Sequence, residues 1–185
     1  MKFLVLLAIV TVAGCSSSVP SLNQYLLRSD TPSQFKVEEQ SAVVGLGAVV
    51  VASYIDGLGL VLETGGGEVR AARDHQWAEP LRDSLRVFMA QEISAQAGQV
   101  IRANHSGEND WQRRIDLRID QLHGTPDGEA RLVAYWQVFD LGERSIVSEN
   151  GFAETQALTV DGYEALVAAE KTLLRKLAVA MAASL

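Results

Sequence analysis

Three histidines are the first side chains to consider for metal binding or general-base catalysis in this chain. None of His75, His105 and His123 lies at metal-ligand spacing from another histidine or from a cysteine. Ser84 follows Asp83, but the chain has no Gly-x-Ser-x-Gly motif that would make a serine a nucleophile. The residues therefore predict no catalytic site, no metal and no cofactor, and the histidines are interpreted as solvated or structural.

Two aspartates could form a carboxylate pair of the kind used in acid–base catalysis. Asp116 and Asp120 fall on one face of a strand predicted for residues 111–123. Arg114 and Arg118 share that face, so mutual neutralisation is the favoured interpretation. Contact with a partner protein is the alternative for this ladder of alternating charges.

Two groups of glycines also invite a functional interpretation. Residues 65–67 are three consecutive glycines, but no Lys-Ser/Thr follows them as in a phosphate-binding loop, so a hairpin turn is predicted. Gly45 and Gly47 lie inside a valine-rich stretch. They predict a β-bulge or a close approach of another side chain to the backbone.

Composition and charge restrict the class of protein. The 185 residues are 48% hydrophobic and 21% charged, which is typical of one globular domain and not of a disordered chain. The formal net charge is −7, with 16 Lys+Arg against 23 Asp+Glu. Such a chain repels phosphate backbones, so nucleic-acid binding is not expected.

The single cysteine, Cys15, follows a pattern that points to export. Lys2 precedes an apolar run over residues 3–13, which is the layout of a signal peptide and is too short to span a bilayer. Residues 12–15, Val-Ala-Gly-Cys, resemble the lipobox of bacterial lipoproteins, in which the cysteine is lipidated and becomes the new N-terminus. An ordinary signal peptide with an incidental cysteine is the alternative.

This pattern predicts three parts of the chain. Residues 1–14 form the signal peptide, residues 15–22 a lipidated polar tether, and residues 23–185 the folded domain. Two or three acyl chains, such as palmitate, anchor a protein stably because each buried CH₂ contributes about 0.8 kcal/mol. Ser16 stands where an aspartate would signal inner-membrane retention in Gram-negative lipoproteins, so the outer membrane, facing the periplasm, is expected.

Hydrophobic periodicity predicts the elements of the domain. The predicted strands cover residues 24–28, 42–52, 58–64, 68–72, 100–103, 111–123, 131–140 and 145–155. Helices are predicted from Pro80 to Ala97, with Gly98 as the stop, and from Asp161, as the N-terminal cap, to Ala183. The predicted fold is α+β: a mixed, mostly antiparallel β-sheet with two helices packed on one face, after an N-terminal lipoprotein signal peptide.

Three segments together give the chain a family resemblance. They are Tyr25-Leu26-Leu27, Tyr54-Ile55-Asp56 and Trp77-Ala78-Glu79-Pro80-Leu81. With their spacing, the chain resembles the ABC-type transport auxiliary lipoproteins over essentially the whole length after the leader. It departs from them at Ser53, where the family often has proline, and in the Gly-Leu-Gly of residues 57–59.

The resemblance implies a non-catalytic lipoprotein of intermembrane lipid transport. Its implied partners are an MCE-type periplasmic protein and the permease and ABC components of the inner membrane, and it implies self-association as well. Tyr54, Asp56 and Trp77 match the motifs and are interpreted as mainly structural, with partner contact as the alternative. The rival functions are an outer-membrane assembly lipoprotein that partners a β-barrel and a tethered periplasmic hydrolase.

Overall fold

The computed structural model describes residues 21–30, 43–103 and 110–185. The predicted signal peptide, Cys15 and His105 lie outside these described residues. The described part contains strands β1 Asn23–Tyr25, β2 Val44–Val51, β3 Gly59–Gly65, β4 Glu68–Trp77, β5 Ile101–Arg102, β6 Arg113–Gly124, β7 Glu129–Asp140 and β8 Ser145–Ala157, and helices α1 Leu81–Ala97 and α2 Tyr163–Ala182. The predicted α+β class is confirmed.

Strand β6 is the centre of one mixed sheet. Along one edge β6 pairs antiparallel with β7, which pairs antiparallel with β8. Along its other edge β6 pairs in parallel with β2 and, at Gly124, with β3. The antiparallel β3–β4 hairpin follows, and short parallel ladders add β1 beside β4 and β5 beside β2. The two longest ladders are antiparallel, as predicted.

The alternation of side chains along the strands produces one buried and one open face of the sheet. Ile115, Leu117 and Ile119 of β6 are buried, while Arg118 between them is exposed. Both helices pack on the buried face, with α1 against β2 and α2 against β7 and β8. The core lies between these layers, because apolar side chains of the sheet and of both helices are removed from water there.

The helices begin and end where backbone geometry requires it. Pro80 occupies the N-cap position of α1 without a side-chain hydrogen bond, and Gly98 ends the helix with φ of 66°, in the left-handed region that favours glycine. The predicted cap at Asp161 is wrong: α2 begins at Tyr163, its N-cap position is occupied by Gly162, and no side chain caps it. No helix in the described ranges is long and apolar enough to cross a membrane.

Two strands differ in length from the predictions because pairing with strands distant in sequence sets their ends. Strand β4 runs on to Trp77, beyond the predicted end at residue 72, because β1 and β3 pair with its last residues. Strand β1 ends at Tyr25 and not at residue 28, because its ladder with β4 stops at the Tyr25–Trp77 pair. Pairing with distant residues sets both limits.

Candidate functional site

The three segments that carry the family resemblance meet at one end of the sheet. Tyr25 is the register partner of Trp77 in the β1–β4 ladder. The backbone N–H of Trp77 donates to the carbonyl of Leu58 (2.7 Å), and that of Ala78 donates to the carbonyl of Tyr25 (2.8 Å). We call this region, residues 25–28, 54–58 and 77–82, the junction. The tertiary fold brings together residues that lie more than 50 positions apart.

The apolar motif residues of the junction are packing residues. Leu27, Ile55, Trp77 and Leu81 are each at most 3% exposed and belong to the hydrophobic core. Full burial of side chains of this kind contributes about 1.5–3 kcal/mol each. Trp77 therefore has almost no surface to offer a partner, and the alternative of partner contact is narrowed to Tyr54 and Asp56.

Asp56 and Tyr54 connect the 54–58 loop to its neighbours. Asp56 forms a salt bridge with Arg82 in the first turn of α1. The ring of Tyr54 meets His123 edge to face, with the ring centroids 6.0 Å apart. Tyr54 is 37% exposed, and partial burial raises the pKa of its hydroxyl, so this group stays neutral and can donate a hydrogen bond.

A second ion pair joins the chain after β1 to the start of α1. Arg28 donates to Glu79 (2.5 Å), and the hydroxyl of Ser84 donates to the same carboxylate (3.2 Å). The hydrogen bond from Arg28 lowers the pKa of Glu79. Because both side chains are about 40% exposed, this pair orients the segments more than it stabilises the fold.

Two exposed apolar side chains lie in the same segments as these ion pairs. Leu26 is 55% exposed and Leu58 is 42% exposed. Both residues adjoin the end of β4. Leu26 directly follows Tyr25, the register partner of Trp77, and the carbonyl of Leu58 accepts a hydrogen bond from the backbone N–H of Trp77. With Tyr54 they form what we call the junction patch. Sequence reasoning missed Leu26 and Leu58 as surface residues; the alternation that buries Leu27 is the local signal that exposes Leu26.

The two described histidines have protein partners that fit structural roles. The Nδ1 atom of His75 lies 2.9 Å from the hydroxyl of Tyr25, and its ring stacks on Tyr163 at a centroid distance of 4.1 Å. His123 is buried, and its Nδ1 lies 3.1 Å from the carbonyl of Gly124. Within the described ranges no group of His, Cys, Asp or Glu side chains is arranged to hold a metal ion.

The Arg/Asp ladder lies on the open face of β6, and its charges pair as predicted. Arg114 and Asp116 approach to 2.9 Å, and Arg118 and Asp120 to 2.5 Å. Beside them runs a groove of about 580 Å³ across β2, β6, β7 and β8. Tyr135, 51% exposed, stands in this groove. The face therefore combines neutralised charges with uncovered apolar surface.

Known proteins match the chain over this whole domain. The sequence profile of the family described as "ABC-type transport auxiliary lipoprotein component" matches residues 25–182. The intermembrane transport lipoprotein PqiC of Escherichia coli (strain K12) is 26% identical over 168 residues, which are 90% of this chain and 87% of the relative. PqiC of Shigella flexneri matches with the same identity and coverage.

Solved structures share the fold. The crystal structure of an uncharacterized protein, 21% identical, superposes with a TM-score of 0.72 over 88% of this chain and 97% of its own. A crystal structure of a protein from Xanthomonas campestris, 14% identical, gives a TM-score of 0.66 over 87% of this chain and 92% of its own. At these identities the likeness concerns the fold alone.

Proposed function

This chain belongs to the ABC-type transport auxiliary lipoprotein family, and we propose that it is a non-catalytic docking component of an MCE/ABC-type system for intermembrane lipid transport. The observation that carries the proposal is the family match over residues 25–182, which includes every segment of the junction. The similarity to PqiC, an intermembrane transport lipoprotein, supports the same role.

The proposed protein is held at the outer membrane and faces the periplasm. Residues 1–14 are removed, Cys15 carries the lipid, and residues 15–22 are the tether. A fully extended tether of this length reaches at most about 28 Å. The position of β1, Asn23–Tyr25, supports this arrangement, because the strand directly follows the proposed tether in sequence and ends at the junction. The junction therefore stays close to the membrane surface.

The proposed docking surface is the junction patch of Leu26, Tyr54 and Leu58. Its exposed side chains lie in two of the three junction segments that carry the Arg28–Glu79 and Asp56–Arg82 ion pairs. An apolar centre with a polar rim is the usual anatomy of a protein interface. We expect an MCE-type periplasmic protein to dock there, with the permease and ABC components joined through it, and we expect the lipoprotein to self-associate.

Co-purification from native membranes in a mild detergent tests this proposal. Mass spectrometry of the wild-type complex is expected to identify an MCE-type protein with a permease or an ATPase. The double substitution Leu26→Ser and Leu58→Ser is expected to remove these partners. Val179→Ser is the matched control, since Val179 is an equally exposed aliphatic residue on α2.

Two outcomes would contradict the proposal. Recovery of only an outer-membrane β-barrel would indicate an assembly factor, and recovery of no partner would indicate a free-standing lipoprotein. If both variants kept the MCE-type protein, the transport role would stand and the docking surface would lie elsewhere.

A further inference from the structure

A second cleft, of about 540 Å³, lies between the first half of α1 and the middle of β2. Three arginines from two elements line it: Arg82 and Arg86, one helical turn apart on α1, and Arg114 of β6. Asp116 and the backbone of residues 47–49 complete the lining. We call it the arginine cleft. It is a local concentration of positive charge in a chain with a net charge of −7.

A β-bulge builds the cleft. The β2–β6 register shifts between Leu46 and Val49, which turns the backbone of the intervening residues away from the ladder. Arg86 donates to the freed carbonyl of Gly47 (2.6 Å), and the N–H of Ala48 donates to Asp116 (2.9 Å). These bonds hold the wall of the cleft and one of its arginines in a defined geometry.

Because Gly47 has no side chain, the side chains of Arg114 and Asp116 can approach this wall. A Cβ atom at residue 47 would lie 2.6 Å from both the Cδ of Arg114 and a carboxylate oxygen of Asp116. Real Cβ atoms essentially never lie so close to another atom, so a side chain at residue 47 would force Arg114 and Asp116 to shift. The predicted close approach at Gly47 is thereby confirmed.

The charges of the cleft do not cancel. Arg82 is paired with Asp56, and Arg114 with Asp116. Arg86 donates only to the neutral carbonyls of Leu46 and Gly47 among the described residues. Its bonds use one terminal nitrogen, so the N–H groups on its other two nitrogens lack a partner within the described ranges.

We propose that the arginine cleft binds a phosphate group. The oxygens of a phosphate accept hydrogen bonds from several directions, which suits the N–H groups of Arg86 that have no partner within the described ranges. The paired guanidinium groups of Arg82 and Arg114 line the same cleft and add positive charge, which offsets the carboxylate of Asp116. Two sources share this chemistry: free inorganic phosphate and the phosphodiester of a lipid headgroup. Arg82 also borders the proposed docking surface through its pair with Asp56, but binding of a phosphate by the purified protein needs no transport partner, so the proposal does not rest on the docking role.

Isothermal titration calorimetry on the full-length protein in a non-ionic detergent tests the site. Inorganic phosphate is one ligand, and glycerophosphoglycerol, the water-soluble headgroup of phosphatidylglycerol, is the other. Saturable heat with phosphate alone would identify free phosphate as the source. Saturable heat with glycerophosphoglycerol would identify the lipid headgroup.

Arg82→Gln is expected to weaken binding at least tenfold. Its matched control is Arg70→Gln, which removes the same charge from an arginine that is also exposed and paired, with Glu68 on β4. Arg86→Gln is expected to abolish binding. Because Arg86 also bonds to the backbone of the bulge, the Arg86→Gln variant could fail to fold. Arg82 is more exposed, so Arg82→Gln still tests the proposal in that case. Absence of saturation with either ligand, or equal weakening by Arg82→Gln and Arg70→Gln, would overturn the proposal.

Discussion

Two buried glutamates in the helical layer have very different surroundings. Glu92 of α1 accepts a hydrogen bond from Ser29 (2.6 Å) and lies 3.5 Å from the guanidinium of Arg175. Glu170 of α2 is 1% exposed, and one of its carboxylate oxygens has no hydrogen-bond partner among the described residues. Burial raises the pKa of Glu170 to about 8. Glu170 is therefore neutral in the folded protein at pH 7.

Glu170→Met is expected to stabilise the protein at pH 8. The folded state holds a proton on Glu170 that the unfolded state releases, so the stability of the wild type falls as pH rises from about 4.5 to about 8. Replacement by an apolar side chain removes this loss, with a gain of about 1–3 kcal/mol at pH 8 that shrinks towards pH 5. Urea denaturation at pH 5 and at pH 8 measures this gain in unfolding free energy, and Glu164→Met, at an exposed position of α2, is the control. An equal gain at both pH values would contradict the assigned protonation.

Gly45 is required because the ring of Trp111 occupies the space of a side chain. A Cβ atom at residue 45 would lie 2.2 Å from atoms of that ring. Gly45→Ala is therefore expected to cost about 1–3 kcal/mol of unfolding free energy, since the buried indole must move. Gly57→Ala is the control, because a Cβ atom there meets nothing within 4 Å. Equal stability of the two variants in urea titrations would show that Trp111 does not pack on β2.

At the scale of the element, β6 connects the buried and open faces of the sheet. Its Arg/Asp ladder is neutral by pairing, but the two pairs differ in exposure. The side chains of Arg118 and Asp120 are 67% and 31% exposed, whereas those of Arg114 and Asp116 are 39% and 17% exposed. Arg114 also lies over the ring of Phe139, 5.4 Å from its centroid. The pair nearer the bulge is thus the better shielded from solvent.

Charge reversal along β6 is expected to follow this gradient. Arg118→Glu should cost about 0–1 kcal/mol, because exposed ion pairs contribute little. Arg114→Glu should cost about 1–3 kcal/mol, since it leaves the largely buried carboxylate of Asp116 beside a like charge. Thermal unfolding of both variants at one ionic strength compares them. A larger loss for Arg118→Glu would mean that the outer face near Arg118 is covered in solution.

At the scale of the whole molecule, attachment and folding are separable. The core of the described domain, from Leu27 to Met181, lies between two helices and a sheet. Removal of the proposed lipid should therefore change where the protein is found and leave its fold intact.

Cys15→Ala is expected to release the folded domain from the outer membrane. Without lipid, the short polar tether has no affinity for a bilayer. Membrane fractionation measures the location, and circular dichroism of the released protein checks the fold. Ser17→Ala is the control, because it changes the tether and keeps the cysteine. A variant that remained firmly in the membrane fraction would disprove the anchor.

Local patterns in the sequence were sufficient to predict most elements of the domain. The two helices, the long strands β2, β6, β7 and β8, and the turn at the three glycines of residues 65–67 all follow from periodicity and turn residues. For the two glycines of β2 a bulge or a close approach was predicted; the bulge lies at Gly47, and the ring of Trp111 approaches Gly45 closely. The helices, strands and turn depend on neighbours within a few positions, and short-range steric and hydrophobic preferences specify such features.

Only the tertiary structure decided what these elements do together. It determined that Trp77 is buried, whereas Leu26 and Leu58 near the same strand end are exposed. It also brought Arg86 and Arg114, from different elements, into one cleft and left Glu170 without a full set of partners. The physical reason is that burial and pairing depend on the register between distant strands, which periodicity along the chain does not contain.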